Sequence, residues 1–97
     1  MTLAEAILKL DEFPAESILF AERVNGCFTP ESSVVVLTLD DEQLKMPTVE
    51  IAALKAPGTE YFLEAFLARE MVAAWRGQGS DSVSLMQTMI DYAEHDA

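Results

Sequence analysis

The sequence predicts an α+β domain: an N-terminal helix, an antiparallel two- or three-stranded sheet, then two C-terminal helices packed on it. Three observations predict it. A capping-box pattern, Thr2-x-x-Glu5, opens a short apolar stripe. Two apolar runs, the second rich in β-branched residues, flank an Asn-Gly turn signal. Two segments in the second half then repeat their apolar residues at helical spacing. One domain, 1–97, is the expectation for 97 residues, since domains usually run to about 100–150.

Leu3, Ala6, Ile7 and Leu10 share one face, so residues 3–11 read as a helix that Pro14 stops. Residues 17–24, SILFAERV, and 33–39, SVVVLTL, read as strands. Asn25-Gly26 and Pro30 between them suggest a hairpin with an irregular connection. Asp40, Asp41 and Glu42 read as solvent-facing charge ending the second strand. Residues 48–54 partly alternate after Pro47, with Val49, Ile51 and Ala53 on one side, and read as a third, edge-like strand. Pro57-Gly58 closes it.

Residues 59–77, TEYFLEAFLAREMVAAWRG, read as one long helix with Thr59 as N-cap and Gly77 at the C′ position. Its apolar side chains form two arcs. Phe62, Leu63, Phe66, Leu67, Ala73 and Ala74 make the first, with Phe66 expected in the core. Tyr61, Ala65, Val72 and Trp75 make the second. Glu60 and Glu64 mark one seam, and Arg69 and Arg76 the other. A surface helix has one apolar stripe, so two arcs require cover on two sides. After a polar break, 77–82, a final helix over about 83–94 has one apolar half: Val83, Leu85, Met86, Met89, Ile90, Tyr92 and Ala93.

Seventeen acidic residues against six basic ones give a formal charge of −11. That disfavours nucleic acid and anionic membrane, which need positive charge to meet phosphate, and favours a basic partner. The first residues lack a signal-peptide pattern or a long apolar run, so a cytoplasmic location is expected. The lone Cys27 excludes an intramolecular disulfide and reads as a packed or idle thiol.

Catalytic machinery is not apparent. The single histidine, His95, is the third residue from the end, and no serine or cysteine motif surrounds a nucleophile. Asp91, Glu94 and His95 share a helix face but read as solvated polar residues, and the Asp40–Glu42 run lacks the spacing of a calcium loop. Glu70 falls within the first arc and reads as an arc-edge residue or the partner of a distant cation. No phosphate-cradling glycine loop is present. The expected site therefore has no catalytic, metal or cofactor residues. It is a partner-binding surface of Tyr61, Glu64, Val72 and Trp75, because tyrosine and tryptophan are over-represented at interface hot spots.

Ile18-Leu19-Phe20, the Val34–Leu39 strand with Asp40-Asp41-Glu42, and Tyr61-Phe62-Leu63-Glu64 give the chain its order of elements. That order resembles a family of small uncharacterised bacterial proteins of about this length. The resemblance implies a bacterial cytosolic single domain and transfers no catalytic residue. The expected function is non-enzymatic: a small acidic interaction protein, most concretely an inhibitor or immunity-type protein that binds a more basic protein. The alternative is a homo-oligomeric accessory or regulatory protein.

Overall fold

The computed structural model describes residues 1–78 and 82–95, with side chains described outside 76–84. Helix α1 (Leu3–Leu8) passes into a 3-10 turn (Leu10–Glu12). Strands β1 (Ser17–Ala21) and β2 (Val34–Thr38) follow, then two short helices, α2 (Asp41–Leu44) and α3 (Thr48–Lys55). Strand β3 (Glu60–Glu64) leads directly into α4 (Ala65–Gln78), and α5 (Ser82–His95) closes the order. The sheet has three strands in the order β2-β1-β3, antiparallel throughout. The fold is α+β, as the sequence predicts.

The N-terminus is tied down by its own polar groups. Thr2 accepts from the Glu5 amide at 3.2 Å while the Glu5 carboxylate accepts from the Thr2 amide at 3.0 Å. That contact with Thr2 holds the Glu5 carboxyl below its ordinary pKa. The next orphan donors of α1, the amides of Leu3 and Ala4, reach the carbonyls of Ser32 and Pro30. All four amides from Thr2 to Glu5 are thus satisfied, two of them by the loop that precedes β2.

β1 is the centre. All five of its residues are buried, and alternation sends them to two cores. Leu19 and Ala21 join α1, α4 and α5 in the larger core, with Leu3, Ile7, Leu63 and Met89. Ile18 and Phe20 face the smaller core beneath α3, with Leu39, Ile51, Ala52 and Ala56. The sheet is therefore covered on both faces.

Residues 48–54 form a helix, not an edge strand. Pro47 stands at the N-cap position, and its carbonyl accepts from the amides of Glu50 and Ile51. Ile51, Ala52 and Ala56 face inward, which is helical spacing, while Val49 is 78% exposed. The third strand is instead 60–64, the front of the expected long helix. Thr59 caps no helix; its hydroxyl donates to the Ala56 carbonyl at 2.7 Å within the Pro57-Gly58 turn. Gly58 has φ of 84°, as the third residue of a Pro-Gly turn requires.

The reason for the misreading is a β-bulge. Leu19 pairs with Leu63 and Phe20 with Tyr61, which leaves Phe62 as the extra residue. Phe62 and Leu63 are both fully buried in the larger core, and Tyr61 packs on the smaller one. Two consecutive inward residues break period-two alternation and imitate a helical stripe that continues into α4. The two-arc helix accordingly does not exist, and Phe66 is 44% exposed. The Asp40–Glu42 run opens α2 rather than merely ending β2: Asp40 and Gln43 form a second capping box. α4 runs past Gly77 to Gln78, so Gly77 is not its C′ residue. Residues 79–81 of the expected polar break lie outside the described residues. α5 matches its expected span, burying Leu85, Met89, Ile90 and Ala93 but leaving Tyr92 at the surface; the side chain of Val83 lies outside those described.

Arg69 joins the second half of the chain to the first. Its guanidinium donates to the Leu10 carbonyl at 3.0 and 3.1 Å, and to that of Phe13. Both carbonyls lie at the end of the 3-10 turn, where that of Leu10 also accepts from the Phe13 amide at 3.1 Å.

The bulge assignment predicts unequal costs for two neighbouring phenylalanines. Phe62→Ala removes a fully buried ring and should cost about 3–5 kcal/mol. Phe66→Ala should cost less than about 1 kcal/mol, as surface changes do. Urea melts of both variants check this, and equal losses would contradict the assignment.

Candidate functional site

A concavity of about 480 Å³ lies at the start of β3. Thr48, Val49 and Ala53 of α3 form one wall, and Glu94 of α5 stands on the other side. Glu60 and Tyr61 lie between them. Since α3 and α5 cover opposite faces of the sheet, the cleft spans its β3 margin. Among the described residues β3 has no strand on its outer side; it is only five residues long, is bulged, and carries a glutamate at each end. Those are features that protect a sheet edge against further pairing.

Arg23 organises the cleft. The hairpin after β1 turns tightly at Asn25 and Gly26, whose φ values are 54° and 84°, the pattern that Asn-Gly supplies. Arg23 donates to the Gly26 carbonyl at 3.2 Å. Its Nε lies 2.8 Å from Glu60 Oε2, and its Nη1 lies 3.1 Å from Glu94 Oε1. The guanidinium carbon sits 4.3 Å above the Phe28 ring, and Phe28 meets Phe62 edge to face at 5.1 Å. Glu94 Oε1 also accepts from the Phe28 amide at 3.2 Å. One cation thus links the hairpin, the edge strand and the final helix.

The expected binding residues fall into two separate places. Tyr61 and Glu64 are on β3, and Val72 and Trp75 are on α4. Tyr61 is half-buried against Phe20, edge to face with centroids 6.3 Å apart, and lines the cleft. Burial, and secondarily the charge of Glu64, pushes its phenol pKa up. Glu64 is half-exposed opposite Ile18. Val72 and Trp75 are half-buried against the larger core. The Trp75 indole N–H is buried without a hydrogen-bond partner among the described residues. Val72 lines a shallow groove of about 250 Å³ between α1 and α4. The four residues therefore do not share one arc.

Glu70, expected at the edge of an apolar arc, is exposed on α4. Asp91 accepts from Gln87 at 2.8 Å, Glu94 turns to Arg23, and His95 is exposed. Among the described residues no three His, Cys, Asp or Glu side chains converge in a way that would hold a metal ion. Cys27 is exposed at the hairpin and makes no disulfide. Sequence reasoning missed Arg23 and Glu94. No local signal joins them, because their contact spans 71 positions. Comparison of the chain with family models, curated proteins and solved structures finds no match.

Two measurements follow from this geometry. In double-mutant cycles, the Arg23–Glu94 pair should couple by about 1–3 kcal/mol, because Glu94 is 20% exposed and a carboxylate left there would lack its cation. The Arg23–Glu60 pair should couple by less than about 1 kcal/mol, because Glu60 is 60% exposed; equal coupling would contradict the burial difference. The second concerns pH. A phenol whose folded pKa lies above its unfolded value stabilises the fold below the latter and loses that effect as pH rises through the folded value. Stability should therefore fall as pH rises beyond about 10, and Tyr61→Phe should lessen that fall in melts taken along the pH series.

Proposed function

We propose that this chain is a non-enzymatic, acidic interaction protein that binds and masks a more basic protein, in the manner of an inhibitor or immunity protein. The observation that carries this reading is the uncompensated surface charge. Among the described residues, the only salt bridges are those of Arg23 with Glu60 and Glu94. Arg69 spends its donors on backbone carbonyls. The other described carboxylates, from Glu5 to Asp91, have no described cation within salt-bridge distance, and all but the half-exposed Glu64 are exposed. A surface of this kind repels phosphate polymers and raises the encounter rate with a basic protein. No described helix is long and apolar enough to cross a membrane. A bacterial, cytoplasmic setting belongs to the same proposal.

A second reading is self-association. Its support is a shallow groove of about 240 Å³ where Leu67, Met71 and Ala74 of α4 meet Tyr92 of α5, with Glu70 at its border. A second copy could cover such a face symmetrically.

Capture of partners from the native host by the immobilised chain, at low and at moderate salt, tests the first reading. A recovered protein of high isoelectric point, bound more weakly as salt rises, is the expected result. Recovery of acidic or neutral partners whose binding ignores salt would refute it. Sedimentation equilibrium tests the second: a dimer that dissociates in Met71→Glu supports it, and a monomer at all concentrations rejects it.

A further inference from the structure

We propose that the cleft at the start of β3 receives one lysine or arginine side chain from a basic protein segment. This rests on the reading above and names where the partner is held.

The charge balance inside the cleft comes first. Two carboxylates, Glu60 and Glu94, share the single guanidinium of Arg23, and among the described residues no other cation lines the space. One negative charge is left over. The bonding pattern shows where it is available. Glu60 uses Oε2 on Arg23, and Glu94 uses Oε1 on both Arg23 and the Phe28 amide. Glu60 Oε1 and Glu94 Oε2 hold no hydrogen bond among the described residues. Each is an acceptor for an incoming N–H donor, and charge-assisted bonds of this type are the strong ones.

Shape and apolarity then narrow the occupant. A free inorganic cation would use the carboxylates but not the wall. Val49 and Ala53 stand exposed along the α3 side, with Tyr61 beside them. Lysine and arginine lay their methylene stems on such surface while the charged head stays polar. The cleft volume of about 480 Å³ falls in the range of ligand sites, roughly 300–1,000 Å³. An anionic occupant is disfavoured because Arg23 is already engaged by two carboxylates. A second copy of this chain is disfavoured because it brings −11 toward −11.

The test uses the full chain, labelled with ¹⁵N, at low salt. The probe is a blocked octapeptide alternating arginine with leucine. The control replaces each arginine with citrulline, which keeps the shape and removes the charge. Expected are shift changes at Val49, Ala53, Glu60, Tyr61 and Glu94 with the arginine peptide, absent with the citrulline peptide. Glu60→Gln should weaken binding roughly tenfold, while Glu31→Gln, distant in sequence on an exposed loop, should leave it unchanged. Circular dichroism of both variants confirms that the fold persists. Shifts confined to other acidic segments, such as Asp40–Glu42, would overturn the cleft assignment while leaving the acidic-binder reading intact. Equal binding of the citrulline peptide in the cleft would overturn the cationic occupant. No shift anywhere would overturn the cleft as an arginine site, and salt-dependent capture of a basic host protein would then still decide the broader reading separately.

Discussion

A five-residue strand with no exposed side chain sets the terms for the molecule. Burying both faces of β1 requires cover on both, and a chain of this size has few elements to supply it. α1, α4 and α5 take one face, and α3 alone takes the other. The unequal division has a consequence. The smaller core holds few large residues, so α3 sits on it with Val49 and Leu54 exposed, at 78% and 70%. The cleft lies beside that lightly packed helix.

The bulge in β3 connects packing to surface chemistry. By admitting Phe62 as an extra residue, it places two side chains in the larger core and still lets Tyr61 face the smaller one. The ring of Phe62 supports Phe28, and Phe28 supports the guanidinium of Arg23. The carboxylates at the cleft are held by that guanidinium. A buried aromatic pair thus fixes the position of a surface charge cluster, which is how a small core can preorganise a polar site.

Elements with complete local signals were legible in the sequence. Thr2-x-x-Glu5 marked α1, the β-branched run marked β2, and a single apolar stripe marked α5. Asp40-x-x-Gln43 carries the same capping signal as Thr2-x-x-Glu5 and was legible in principle, but the three adjacent acids suggested only a strand end. Residues 48–64 were not legible for physical reasons. Val49 and Ile51 alternate, yet Val49 points to solvent, so the alternation reported no sheet face. The bulge then replaced the strand period with a pair of adjacent apolar residues. The candidate site was partly legible: Tyr61 and Glu60 stood out on the segment, but their cleft depends on Arg23 and Glu94, which only tertiary structure brings together.

The two cores and the cleft both depend on residues 60–64 being a bulged strand beside β1 and not the first turns of a long helix. Cross-strand nuclear Overhauser effects, read together with backbone chemical shifts, test that most directly. The expected result is contacts in the register Leu19–Leu63 and Phe20–Tyr61, extended shifts over 60–64, and helical shifts over 48–55 and from Ala65 onward. Continuous helical shifts from Thr59 through Trp75, with no contact between Leu19 and Leu63, would contradict it.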